Sequence, residues 1–231
     1  MGGTGIATDT RGAASALRWW LEMGVDVAVQ EEPRNWLQAR SPVEPVRDDI
    51  PARLPETLET FREWLATSPD APLSSPRSKP VLPKGAENAE IMLISEPPTR
   101  EELAAGEPIG GPAAELMQRM LQAIGLAGQH YSANLACFHS PATRLSPEQL
   151  EACAASARRH VALVKPGRLL LLGETPARAL LGKALPQARG HVYKIEGIRA
   201  VATFHPRQLL KRPQDKRLAW EDLLLLMDEE R

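Results

Sequence analysis

Arg168-Leu169-Leu170-Leu171-Leu172-Gly173 is the stretch on which the fold turns. Four leucines in succession leave no polar alternation, so both faces of the segment need covering. A glycine closes it at the length of a short strand. Strands of this kind belong to a parallel sheet sandwiched between helices.

The same signature recurs on either side. Glu90–Ser95 (EIMLIS) and His130–Leu135 read as strands, and Ile198–Phe204 as the last one. Helical patterns separate them. Pro112–Ile124 is amphipathic and closed by Gly125. Pro147–Val164 follows Ser146, a good N-cap, with Glu148 nearby. Thr175 caps a helix through Leu181, and Gln214–Met227 closes the chain. The expectation for residues 89–231 is an α/β domain, three layers α/β/α around a short parallel sheet of about four strands.

Upstream the pattern breaks. Residues 41–88 hold nine prolines and read as a linker carrying one helix, about Leu54–Ala66, with Leu58, Phe61 and Leu65 on one side. Residues 1–40 read as a helical appendage. Its helix, Gly12–Met23, spaces Ala13, Leu17, Trp20 and Leu21 on one face, stops at Gly24 and leads into an extended Val25–Val29. Trp19, Trp20, Trp36 and Trp64 read as anchors for this appendage.

Composition sets outer limits. The chain has 231 residues, 43% hydrophobic and 25% charged, enough to bury a sizeable core. No apolar run approaches the roughly 18–20 residues of a membrane span. The N-terminus lacks the basic start and apolar core of a secretory signal. Two cysteines do not make a disulfide framework, so the cytoplasm is the expected compartment. Net charge is -1, but Arg158–Arg217 holds fourteen Lys/Arg against three Asp/Glu. A basic face that meets phosphates and an unevenly charged solvated surface both fit that asymmetry.

The chemistry-bearing residues gather at expected strand ends, where open α/β sheets bind ligands. The last strand runs into Thr203-Phe204-His205-Pro206-Arg207-Gln208-Leu209-Leu210-Lys211-Arg212. Proline stops the strand and fixes the backbone beyond the imidazole. His205 is read as functional, against a satisfied structural histidine. Asn134 ends the second strand; its amide suits a pyrimidine edge, and a turn cap is the plain alternative. The first strand leads into Ser95-Glu96-Pro97-Pro98-Thr99, then Gly106-Glu107-Pro108-Ile109-Gly110-Gly111. The glycines allow close backbone approach, and the helix after Gly111 offers free N–H groups. No dinucleotide or nucleoside-triphosphate fingerprint is present.

Taken with Tyr131-Ser132-Ala133-Asn134, Thr143-Arg144-Leu145-Ser146-Pro147, Lys165–Gly173 and Trp220-Glu221-Asp222-Leu223, these blocks resemble, in order and spacing, the uracil-DNA glycosylase superfamily. The likeness covers about Ala89–Met227 and is strongest to the iron–sulfur (family 4) branch. It implies a base-excision repair enzyme that flips a uracil from DNA and hydrolyses its glycosidic bond. His205 would donate to uracil O2 as the leaving base gains charge. Asn134 would read the O4/N3 edge. Glu96 and the Pro97-Pro98 backbone would line the sugar side, where water attacks. Pro98, Ile109 and Gly111 would border the base. Arg207, Lys211 and Arg212 would grip phosphates, and Leu209 or Leu210 would fill the vacated stack.

Three departures stand out. Ser95 and Thr99 replace the first motif's glycines. Ile109 replaces a phenylalanine, which removes the stacking face. The branch's cluster needs four thiolates, and only Cys137 and Cys153 match its positions. They read as buried apolar residues or remnants of the site, so no cofactor is expected. The expected partner is DNA, and the expected state a monomer. Rival readings are a DNA-binding member without turnover, a glycosylase for another deaminated base such as hypoxanthine, and a protein-interaction scaffold.

Overall fold

The computed structural model describes residues 54–75, 78–86, 88–142 and 144–228. The expected appendage 1–40, with Trp19, Trp20 and Trp36, lies outside them. The described chain runs α1 (Leu58–Thr67), β1 (Lys84–Gly85), β2 (Ile91–Ser95), α2 (Arg100–Ala105), α3 (Gly111–Ala123), β3 (His130–Asn134) and α4 (Pro147–Val164). It continues with β4 (Arg168–Leu172), α5 (Glu174–Leu181), α6 (Leu185–Ala188), β5 (Tyr193–Ile195), β6 (Ile198–Thr203), α7 (Pro206–Lys211), a 3-10 turn (Pro213–Asp215) and α8 (Lys216–Met227).

The strands form one six-stranded sheet in the order β1-β3-β2-β4-β6-β5. The four inner strands are parallel, as expected. The edges, β1 of two residues and β5 of three, run antiparallel and are too short to show a sequence period. Alternation along each inner strand splits the core in two. Met92, Ile94, Leu169, Leu171, Ala200 and Ala202 face α4, α5 and α6. Ile91, Leu93, Leu170, Leu172 and Val201 face α3 and α8. All four leucines of β4 are fully buried, each stabilising by about 1.5–3 kcal/mol before entropy is set against it.

The helix in the proline-rich stretch starts later than its pattern suggested, at Leu58. Thr57 caps it through a reciprocal pair with Thr60. It packs Phe61 and Leu65 against Ala71, Cys137 and Phe138, with Trp64 partly buried beside them. Behind that cluster, Arg62 Nε donates to Tyr131 Oη at 3.3 Å, which directs the phenol proton to His160 Nε2, 2.9 Å away. Burial pushes the His160 imidazole down to about 3, with the Arg62 charge adding to the effect.

Three short helices were not anticipated, α2, α6 and α7. Thr99 caps α2 with Glu102 returning the bond, although the helix is only six residues long. Pro206 at the first helical position begins α7, which carries Arg207 and Lys211 and is closed by Arg212.

Candidate active site

Asn134, Ser95, Leu172 and Thr203 share one row at the carboxyl end of the parallel strands. Alternation turns Asn134, Ser95 and Thr203 toward the α3/α8 side. Two residues past Thr203, His205 caps α7 and is only 2% exposed. Its Nδ1 accepts the Arg207 backbone N–H at 3.0 Å, which leaves the ring proton on Nε2. Nε2 lies 2.9 Å from Ser95 Oγ. Burial pushes the imidazole down to about 3, and the Arg207 charge acts in the same direction. His205 is therefore neutral near pH 7, a hydrogen-bond donor and not a proton source.

The Asn134 amide donates to the carbonyls of Glu96 (2.7 Å) and Pro108 (3.0 Å). Those carbonyls fix its orientation, since reversal would set oxygen against oxygen. Its Oδ1 is buried without a hydrogen-bond partner. The side chain thus presents an acceptor, suited to a ring N–H.

Contact with one uracil, His205 at O2 and Asn134 at the O4/N3 edge, calls for a cavity lined by both. In the structure Ser95 stands between them, and no described cavity is lined by both. The physical reason is the serine itself. A glycine at 95 would leave Nε2–H unpaired, whereas the hydroxyl occupies that position and takes the bond.

Glu96 sits at the start of α5. Its Oε1 accepts the Glu174 backbone N–H at 3.2 Å, where the helix terminus favours negative charge. Gly173, at φ 101°, makes room for it, because a Cβ there would lie 2.6 Å from Oε1. Glu96 Oε2 accepts from Arg207 at 3.1 Å, and the same guanidinium donates to Glu102 Oε2 at 3.0 Å. Glu102 is buried and also accepts from Thr99 N and Oγ1 at 2.8 and 2.9 Å. Arg207, expected at a phosphate, is engaged by two carboxylates.

The other expected site residues divide. Pro98 is buried, and its carbonyl accepts from His139 Nδ1 at 2.7 Å. Ile109 lines a separate cavity of about 280 Å³ at the β1 edge, with Leu93, Met117 and Ser132. Gly111 borders a cavity of about 690 Å³ with Glu102, Arg207, Leu210 and Lys211. Lys211 and Arg212, both exposed, line one of about 450 Å³ that reaches His205. Of the two leucines considered as a wedge, Leu209 is 1% exposed and Leu210 43% exposed. Successive helical residues point about 100° apart, so only Leu210 reaches the surface.

Sequence reasoning gave no role to Glu102 or to the support behind Thr203. The Thr99-x-x-Glu102 spacing of a capping box was a legible signal. Asp222, 1% exposed, accepts from Thr203 Oγ1 (2.7 Å), Arg189 Nε (2.7 Å) and Gly190 N (3.2 Å), tying α8 to the end of β6. Burial raises its carboxyl pKa, while these donors oppose the rise.

The family model of the uracil DNA glycosylase superfamily matches residues 82–224, more than half of the chain. The chain belongs to that superfamily. It is 31% identical over 142 residues to the type-4 uracil-DNA glycosylase of Archaeoglobus fulgidus, covering 56% of this chain and 71% of that one. Over 168 residues it is 27% identical to the type-4 enzyme of Pyrobaculum aerophilum, covering 68% and 86%. The type-4 enzyme of Thermotoga maritima is 26% identical over 176 residues, covering 73% and 92%.

The four-thiolate cluster implied by the resemblance to the iron–sulfur branch of this superfamily does not fit these residues. The chain has two cysteines in all. Cys137 lies among Phe61, Leu65 and Phe138, and Cys153 in the separate α4 core. Burial pushes both thiols up to about 12. Trp64, Leu65, Ala71 and Leu73 pack around Cys137, and no second cysteine stands among them. Among the described residues, no three His, Cys, Asp or Glu side chains gather to hold a metal ion, and no helix is long and apolar enough to cross a membrane.

Proposed function

We propose that the chain is a DNA N-glycosylase that excises uracil. The observation that carries the reading is the neutral His205 imidazole, its remaining proton on Nε2, at the carboxyl end of the sheet of a uracil DNA glycosylase superfamily member. As the glycosidic bond breaks, negative charge grows on the base and positive charge on the sugar. An N–H donor beside the base oxygen stabilises the first, and the Glu96 carboxylate the second. Asn134 Oδ1 accepts the uracil N3–H; cytosine has no hydrogen on N3, so it would leave that oxygen unpaired. Lys211 and Arg212 meet phosphates, and Leu210 fills the vacated stack.

The test is release of free base from oligonucleotides carrying one uracil, one hypoxanthine or none. Release from the uracil strand alone supports the reading. Binding without release favours a member lacking turnover, a reading supported by the His205 N–H already given to Ser95.

A further inference from the structure

Arg207 lies on α7, whose Lys211 and C-cap Arg212 are exposed, yet its guanidinium turns inward. It reaches Glu96 Oε2 and Glu102 Oε2 at 3.1 and 3.0 Å. Two carboxylates and one guanidinium leave this group with a net negative charge, a poor seat for a phosphate. The Glu102 side chain is 3% exposed and keeps Oε1 buried without a hydrogen-bond partner. Releasing Arg207 to a phosphate would strand that charge in the interior. Arg207 also borders three of the described cavities along the rim, about 450, 580 and 690 Å³, as does Thr99. Its backbone N–H holds the His205 tautomer, so one residue governs both sides of the reaction centre.

We infer that Arg207 is a positioning residue and not a DNA contact: it fixes the Glu96 carboxylate against the start of α5, and so sets where that charge meets the sugar. Glu96 Oε1 is held by one backbone N–H at 3.2 Å. With the guanidinium on Oε2, both carboxylate oxygens are tied and the group cannot rotate toward solvent. The inference rests on the glycosylase reading. Only the side chain is at issue, since an alanine at 207 keeps the backbone bond to His205 Nδ1.

The experiment compares the full chain with Arg207→Ala and Arg207→Lys. It measures uracil release at saturating DNA, KM, and the salt dependence of binding to a uracil-containing duplex. We expect Arg207→Ala to lower kcat by roughly 10- to 100-fold with KM within about twofold, and Arg207→Lys to recover part of the loss. The slope of log binding constant against log salt should match the parent. A slope shallower by about 0.9 with kcat intact would mean a lost phosphate contact and overturn the inference. If Arg207→Ala does not fold, the neutral pair Arg207→Met/Glu102→Gln takes its place and faces the same two outcomes. A parent that releases no uracil sinks the glycosylase reading and the kcat arm with it. The salt slopes then decide alone whether Arg207 holds carboxylates or phosphate.

Discussion

His205 Nε2 lies 2.9 Å from Ser95 Oγ, and the two residues are 110 positions apart in the chain. This bond uses the one ring proton of a neutral imidazole. A base oxygen must therefore compete with a serine for it. Glycosylase activity in this chain depends on how that competition resolves.

Replacing Ser95 with glycine frees the donor. A neutral hydrogen bond contributes about 0.5–1.5 kcal/mol net, so Ser95→Gly should speed uracil release by roughly two- to tenfold. Single-turnover base release measures it. A slower variant would show that the serine helps the reaction.

Removing the imidazole tests the donor itself. His205→Ala should reduce release by about 10²–10³-fold, the scale for losing one preorganised donor to a developing anion. Affinity for uracil-containing DNA should stay close to the parent's. Equal turnover in the variant and the parent would refute the assignment.

Two buried histidines predict acid sensitivity. His205 and His160 are both pushed from 6.5 down to about 3. Between those values the unfolded chain holds the extra protons, so stability falls as pH drops below about 6.5. The loss is about 1.4 kcal/mol per pH unit for each histidine that titrates fully. Urea melts between pH 7 and 5 should show it. In the same range, release by folded protein should lack an inflection near 6.5.

The outer cations predict a salt effect. Lys211→Ala and Arg212→Ala should each flatten the log–log salt dependence of DNA binding by about 0.9. Unchanged slopes would place the phosphate contacts elsewhere.

The α1 cluster predicts a stability dependence in place of a metal. Phe61 is fully buried beside Cys137 and packs on His160 with ring centroids 4.9 Å apart and the planes tilted by 44°. Phe61→Ala should cost about 3–5 kcal/mol. A chelator should leave the melting temperature of the parent unmoved. A chelator-induced fall would reveal a metal contribution that two thiols in separate clusters do not suggest.

Much of the frame is legible in the sequence. The leucine run of β4 had the strand's bounds, and Ser146-Pro147 began α4 at the residue expected. Both depend on local rules, burial on two faces and end capping. The misses were short or depended on distant partners. The edge strands carry two and three residues, α6 four, and α2 and α7 six each, too few for periodicity to accumulate. The first-motif serine was visible as a departure, but nothing near it in sequence revealed that His205 was its partner.

Apolar spacing alone determined that a parallel sheet would be covered on both sides, and that His205 and Asn134 would stand at strand ends; the assembled sheet sets two strands, β2 and β4, between those ends. Only the folded arrangement decided what those polar groups hold. Ser95 came between the imidazole and the amide, and Arg207 reached carboxylates 105 and 111 residues upstream. Burial is written locally because each residue's transfer from water depends on its own surface. A hydrogen-bond partner is set by strand register and loop path, and these exist only once the sheet is assembled.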